Sequence, residues 1–192
     1  RQQFAQVTNP PIDSLRESSV MSLETCFGPE LNIFEETEEH ARRIVTTSPV
    51  LSHKKLITLR KNKLFKIKEF NLAYDQSISL KKAIIRLGYE VEKAVKEGYS
   101  IIQLNEDLPN EGELIINALL ATGYIHQNLV KSGLRSDANI LVSSASARDT
   151  HSIACLLSFG ATAVYPWLAF QIILDLTKRG EISGSPTGNC AK

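Results

Sequence analysis

The sequence has the length and composition of one folded domain: 192 residues, 43% of them hydrophobic and 22% charged, a balance that excludes a disordered chain. The 22 basic and 21 acidic residues give a net charge of +1, which excludes a strongly basic nucleic-acid-binding domain. Apolar runs are much shorter than the roughly 20 residues of a membrane span, and three cysteines without a CxxC motif indicate neither a disulfide framework nor a metal site.

The first 62 residues are predicted to be irregular. Pro10, Pro11, Pro29 and Pro49 interrupt this segment, and each proline removes a backbone donor and disfavours helix in the residue before it. A short helix is predicted after Thr37, with acidic residues in its first turn and basic residues in its last. We expect residues 1–62 to wrap around a core that the rest of the chain provides.

From residue 63 onward, helical patterns alternate with short apolar strands. Strands are predicted over residues 64–70, 99–104, 139–142 and 162–165, and helices over 79–98, 113–132, 146–160 and 166–180. Ser146 and Asp149 have the spacing of a capping box. Such repeats form parallel strands with helical crossovers, in a Rossmann-like sheet or in part of a barrel. We predict an α/β fold in which residues 63–192 form an incomplete, TIM-barrel-like set of βα repeats, since four strands are too few for a barrel.

Catalytic groups of α/β folds lie just after the carboxyl ends of the strands. Glu106 and Asp107 are candidates for a general acid and base, but the loop that follows them favours a solvated turn. Ser143 and Ser144 are candidates for a nucleophilic site with His151, although such serines more often cap helices or stabilise turns. We therefore assign no catalytic residue.

No cofactor-binding or metal-ligating residues are predicted either. The last predicted strand is followed by Tyr165-Pro166-Trp167, and a proline offers no N–H group to a phosphate. The sequence contains neither GxGxxG nor GxxxxGK[ST], and its four histidines are not at ligand spacing. Seven basic residues between Lys54 and Lys68 are expected to balance the acidic run at 30–39 or to face water, not to bind nucleic acid.

Five strings of the sequence agree with one known family. They are FAQVTNPPID at residues 4–13, VMSLET at 20–25, EHARR at 39–43, SPVL at 48–51 and HSIACLLSFGATAVYPWLAF at 151–170. Together they resemble the central domain of the large chain of glutamate synthase. The resemblance extends over nearly the whole chain.

The resemblance implies a role within a larger enzyme. In that family a glutaminase domain releases ammonia, which passes to a domain with FMN and an iron–sulfur cluster that makes glutamate from 2-oxoglutarate. The central domain joins the two. We therefore expect a non-catalytic linking domain, inactive as a separate fragment and without its own cofactor, that positions both domains and helps to enclose the ammonia path.

The resemblance also implies partners and a location. The expected partners are the glutaminase and FMN-binding domains of the same chain, with an electron-donating subunit or ferredoxin in addition, and neither nucleic acid nor membrane. The expected location is the cytoplasm, or the plastid stroma in a photosynthetic eukaryote. Thr8 and Asn9 are expected to line the ammonia path, because Pro10 and Pro11 hold them extended, although an Asn before Pro is often only a turn residue.

Two other functions are compatible with the sequence. One is a free-standing, small barrel-like enzyme that uses Glu106, Asp107 and the serines at 143 and 144. The other is a docking module that binds an acidic redox partner through the basic stretch from Lys54 to Lys68.

Overall fold

The computed structural model describes residues 21–184. Its centre is a parallel sheet of four strands, β3 (Lys66–Asn71), β5 (Tyr99–Asn105), β7 (Asn139–Ser143) and β8 (Ala163–Tyr165), in that spatial order. Two antiparallel pairs accompany it: β1 (Thr25–Phe27) with β2 (Ile44–Thr46), and β4 (Ala73–Asp75) with β6 (Glu113–Ile115). The sheet confirms the predicted incomplete βα array, because its strands pair in parallel in the order in which they occur along the chain, β3 with β5, β5 with β7 and β7 with β8.

Five α-helices occur in the described residues: α1 (His53–Lys61), α2 (Leu80–Lys96), α3 (Ala118–Lys131), α4 (Thr150–Ser158) and α5 (Trp167–Lys178). Helices α2, α3 and α4 are the crossovers between successive strands of the sheet. The side chain of Ser79 caps the start of α2, accepting a hydrogen bond from the backbone N–H of Lys82. Gly98, with a φ of +86°, allows the turn that follows the helix.

The two faces of the sheet are covered by different parts of the chain. Alternate strand residues point to opposite faces, and Ile102 and Ile140 pack with the apolar faces of α2, α3 and α4. Ile101, Leu141 and Ala163 point the other way, where Phe27, Leu51, Leu56 and Leu59 cover them. For the described part of the segment, residues 21–62, the wrapping is observed, and its apolar side chains fill the face that would line the interior of a closed barrel.

The N-terminal segment also covers the outer edge of β8, the edge that does not pair with β7. The backbone N–H of Val164 donates to Pro49 at 2.8 Å, and the N–H of Leu51 donates to Val164 at 2.9 Å. Val50 and Val164 form a parallel bridge. The segment thus occupies the position that the next strand of a barrel would take, which protects this edge from pairing with another chain.

Three predicted elements differ in the structure. The helix expected over 113–132 begins only at Ala118, because residues 113–115 pair with β4 and the side chain of Asn117 caps the helix. The capping box at Ser146 is not formed, since Asp149 caps α4 by accepting from the N–H of Ser152 at 2.7 Å. The helix after Thr37 is a single 3-10 turn, Glu38–Ala41.

The proposed division into segments 1–62 and 63–192 remains a prediction. None of the helices within residues 21–184 is both long enough and apolar enough to cross a membrane.

Candidate functional site at the carboxyl end of the sheet

Glu106 follows β5 and is buried at the carboxyl end of the sheet, with 6% of its surface exposed. Its Oε2 atom accepts hydrogen bonds from the hydroxyls of Ser144 at 2.5 Å and Ser146 at 2.8 Å. The same oxygen accepts from the backbone N–H groups of Ala145 at 3.0 Å and Ser146 at 2.9 Å. The carbonyl oxygen of Glu106 accepts from the indole N–H of Trp167 at 3.2 Å. Glu106 therefore ties together the segments that follow three neighbouring strands.

The prediction of a solvated loop is wrong for Glu106 and correct for Asp107, which is exposed. A buried carboxylate requires compensation by donors, and here Ser144 and Ser146 supply them. These serines follow β7, the strand next to β5, and the carboxyl ends of parallel strands meet at one edge of the sheet. The presence of serines just after a neighbouring strand was therefore the sequence signal that could have predicted donors for Glu106. The carboxylate accepts four hydrogen bonds from the protein itself, and none of the hydrogen bonds among the described residues joins it to Asp107.

Within the described residues, the structure does not bring Ser143 or Ser144 into hydrogen-bond contact with His151. Ser144 donates to Glu106 and accepts from the backbone N–H of Ala147 at 3.0 Å. His151 lies on the exposed side of α4, with its Nε2 atom 3.5 Å from the Sγ atom of Cys155. No hydrogen bond among the described residues joins it to Ser143 or Ser144. The preferred role of Ser144 in turn hydrogen bonding is therefore confirmed.

On the face of the sheet covered by α1, four polar side chains form a closed ring of hydrogen bonds. Arg60 donates through Nε to Gln103 Oε1 at 3.2 Å and through Nη2 to Glu69 Oε2 at 2.8 Å. Gln103 donates to Asn105 Oδ1 at 2.6 Å, and Asn105 donates to Glu69 Oε2 at 2.8 Å. Because arginine only donates and carboxylate only accepts, the ring fixes both amide orientations. It explains how the fully buried Gln103 is accommodated.

A cavity of about 320 Å³ lies beside this ring. His53, Arg60, Glu69, Asp107, Ser143 and Tyr165 are among its lining residues. The ring nitrogen Nδ1 of His53 and the hydroxyl of Tyr165 are 3.0 Å apart, within hydrogen-bond distance. The cavity therefore collects residues from α1, β3, β7, β8 and the end of β5, at the edge where α/β proteins bind ligands.

The backbone N–H groups just after β7 are already bonded within the protein and are not available to the phosphate of a flavin. Backbone N–H groups after a strand are the donors that such phosphates need, but those of Ala145 and Ser146 are bonded to Glu106. After β8, the N-cap of α5 is Pro166, which has no N–H group. Within residues 21–184 no three His, Cys, Asp or Glu side chains form a metal-binding group, and the two described cysteines, Cys26 and Cys155, are free.

At the opposite, amino end of the strands a second charged cluster surrounds Arg135. Its guanidinium donates to the carbonyls of Ala138 at 2.6 Å and Gly160 at 3.0 Å, and through Nε to His126 Nδ1 at 3.0 Å. Burial, and secondly the Arg135 charge, lowers the pKa of His126 below its ordinary value of 6.5. Burial also lowers the pKa of Arg135, which Glu30 partly opposes. The cluster favours neutral His126, whose Nδ1 accepts from Arg135.

The basic stretch from Lys54 to Lys68 finds acidic partners other than the upstream run. Arg60 pairs with Glu69, and the Nζ atom of Lys68 is 3.6 Å from the carboxylate of Glu97. Lys68 also lies 5.0 Å from the ring centre of Tyr99. The other five basic residues of the stretch are exposed: Lys54, Lys55, Lys61, Lys63 and Lys66. The upstream acidic run forms no ion pair with this stretch within residues 21–184.

Comparison with known proteins identifies the family of the chain. The family model of the glutamate synthase central domain matches residues 1–191. The chain belongs to the glutamate synthase central domain family. It is 38% identical over 177 residues to ferredoxin-dependent glutamate synthase 2, chloroplastic, of Arabidopsis thaliana, an alignment that covers 89% of this chain and 11% of that protein.

Two bacterial relatives are similar to the same extent. The chain is 36% identical over 170 residues to the glutamate synthase [NADPH] large chain of Bacillus subtilis, covering 88% of this chain and 11% of that protein. It is 36% identical over 189 residues to the glutamate synthase [NADPH] large chain of Azospirillum brasilense, covering 97% and 12%. This central domain therefore spans about a tenth of the length of its curated relatives. Thr8 and Asn9, the predicted path residues, lie outside the described residues.

Proposed function

We propose that this central domain is a non-catalytic linking domain. It positions a glutaminase domain and an FMN and iron–sulfur domain of the same chain, and it helps to enclose the ammonia path between them. The observation that supports this role most directly is Glu106, whose carboxylate fills the cluster of backbone and hydroxyl donors after β7. A βα loop whose donors are already bonded to the protein contributes structure in place of a cofactor site.

Flavin titration of the 192-residue chain tests the absence of a cofactor site. We expect no saturable quenching of FMN fluorescence and no glutamate formation. Replacing Glu106 by Gln keeps the shape of the side chain, so a folded Glu106→Gln variant should behave in the same way. Tight FMN binding or glutamate synthesis by the chain alone would refute the linking role.

The rival function, a free-standing enzyme, rests on the polar lining of the cavity beside Asp107. Substituting Asp107 by Asn and Ser143 by Ala in the full-length enzyme distinguishes the two functions. An enzyme that uses these side chains for proton transfer or nucleophilic attack should lose at least about a hundredfold in turnover. The linking role predicts changes smaller than about threefold, because neither side chain would then contact reacting atoms.

The predicted ammonia path is tested at Thr8 and Asn9 in the full-length enzyme. Thr8→Val or Asn9→Leu should remove polar groups from the path and uncouple the two half-reactions, so that glutamine is hydrolysed without matching glutamate formation. If both variants keep one-to-one stoichiometry and only lose stability, these residues form a turn and the path runs elsewhere. An electron-donating subunit or ferredoxin is a further proposed partner, and the cytoplasm or plastid stroma the proposed location.

A further inference from the structure

The cavity beside Asp107 carries one charge that the protein leaves uncompensated. Among the charged lining residues, Arg60 is paired with Glu69 at 2.8 Å. Asp107 also lines the cavity and is exposed, and no hydrogen bond or ion pair joins its carboxylate to another residue within 21–184. With histidine counted as neutral, one arginine and two carboxylates give the lining a net charge of −1. The cavity therefore attracts a cationic group.

The remaining lining groups suit a cation that donates hydrogen bonds. The carboxylate of Glu69 accepts both of its ring bonds through Oε2, so that neither ring bond uses Oε1. Ser143 offers a hydroxyl oxygen from the end of β7. Tyr165 and Trp167 bring aromatic rings to the same cavity, and such rings attract cations through their faces. A primary ammonium group, with three donors and no acceptor, matches these partners.

The size of the cavity separates an organic ligand from a bare ion. Its volume of about 320 Å³ lies at the lower end of the range of roughly 300–1,000 Å³ that is usual for small-molecule sites. A metal ion would need several converging ligands, and the described residues contain no such group. A compound of a few carbon atoms fits the volume better than an ion alone.

We propose that this cavity binds a small molecule that carries a primary ammonium group, an amino acid or a simple amine. Asp107 provides the charge, Glu69 and Ser143 provide acceptors, and Tyr165 and Trp167 provide the aromatic wall. The closed ring of Arg60, Gln103, Asn105 and Glu69 holds the floor of the site in place before the ligand arrives. This inference goes beyond the linking role and does not depend on it.

An NMR titration of the 15N-labelled 192-residue chain tests the proposal. L-alanine and ethylammonium chloride are the probes, and propionate and sodium chloride at equal ionic strength are the controls without an ammonium group. We expect saturable shifts of the Asp107 and Ser143 amides and of the Trp167 indole with at least one probe and with neither control. Saturation by L-alanine alone identifies an amino acid site, and saturation by ethylammonium identifies an amine site.

Charge removal at two positions of one loop provides the matched comparison. Asp107→Asn should weaken binding about tenfold or more, whereas Glu111→Gln removes the same charge from an exposed residue that does not line the cavity and should leave binding unchanged. Equal shifts with propionate and L-alanine, unchanged affinity in Asp107→Asn, or no shift with any probe would each overturn the proposal. None of these outcomes bears on the linking role, which the flavin titration tests separately.

Discussion

The two ends of the parallel sheet hold charged side chains in different ways. At the carboxyl end, Glu106 gathers four donors on one oxygen, and an open cavity remains beside it. At the amino end, Arg135 bonds two carbonyls and His126, and His126 lies so close to Gly160 that a Cβ atom there would collide with the imidazole. Hydrogen bonds hold both charges, and a cavity lies near each: one of about 320 Å³ beside Asp107 and one of about 530 Å³ that His126 helps to line. The cavity beside Asp107 is the one that lies at the carboxyl ends of the strands, where βα folds usually place their sites.

Among the substitutions that test the difference between the two ends, a change at Glu106 is expected to have the largest effect on stability. Glu106→Ala removes the acceptor for two serine hydroxyls and two backbone N–H groups in a buried environment. Because hydrogen bonds to charged groups contribute about 1.5–3 kcal/mol and the donors would be left unsatisfied, we expect the free energy of unfolding to fall by about 3 kcal/mol. Urea denaturation followed by circular dichroism measures it.

The neighbouring acid provides the control for this prediction. Asp107→Ala changes an exposed side chain and should alter the free energy of unfolding by less than about 0.5 kcal/mol. Glu106→Gln keeps one oxygen acceptor and should lie between the two. Equal losses for Glu106→Ala and Asp107→Ala would mean that the buried carboxylate does not hold the carboxyl end together.

The sequence predicted the regular half of the molecule because its signals are local. The apolar face of α2, the capping Ser79 and the glycine at 98 all act within a few residues of one another. The parallel order of the strands then followed from the connections. The pairing of β4 with β6 was missed, since residues 113–115 read as the start of a helix and their partner lies some 40 positions earlier.

The candidate site was harder to predict because its contacts are non-local. Glu106 and the serines that bond it are separated by 38 to 40 positions, and Arg60 and Gln103 by 43. An acid in a polar loop reads as exposed unless its donors are known. The packing of α1 on the sheet was not predicted for the same reason, because Leu56 and Leu59 contact strands that follow them in the chain.

A smaller loss is expected at the amino end. Arg135→Ala leaves the carbonyls of Ala138 and Gly160 without their side-chain donor, but the guanidinium is only half-buried, so water replaces part of the lost bonding. We expect the free energy of unfolding to fall by about 2 kcal/mol. Arg148→Ala, at an exposed position, is the matched control. A larger loss of unfolding free energy in Arg135→Ala than in Glu106→Ala would show that the amino-end cluster contributes more to stability than the carboxyl-end cluster.

The pH dependence of the amino end follows from the lowered pKa of His126. Burial is the main cause and the Arg135 charge the second. As the pH falls, the unfolded chain binds a proton at this histidine at a higher pH than the folded chain does. The contribution of His126 to stability is therefore complete above pH 6.5 and decreases as the pH drops toward the folded pKa. Thermal unfolding between pH 8 and pH 5 should show this decrease in the wild type and a flatter profile in His126→Gln. Parallel profiles for the two proteins would show that His126 is not the group that titrates.

The smallest effect is expected at Asp149, the cap of α4 at the carboxyl end. The N–H of Ser152, followed by its hydroxyl, lowers the pKa of this carboxyl below its ordinary value of 3.8. A lowered carboxyl pKa contributes stability above the unfolded value that is lost as the pH falls through the folded one. Asp149→Ala should therefore lower the melting temperature at pH 7 by less than Glu106→Ala does. Asp149→Asn, which can still cap the helix, should stay close to the wild type.

Acid separates the charge of Asp149 from its hydrogen bond. Between pH 7 and pH 3 the wild type should lose the advantage that its carboxylate has over the neutral amide of Asp149→Asn, so the difference between the two melting temperatures should shrink. Asp75 also has a lowered pKa, through the hydroxyl and N–H of Ser77, but it is present in both proteins and cancels in the difference. A constant difference across this range would show that α4 is capped by hydrogen bonding alone, without a contribution from charge at this helix start.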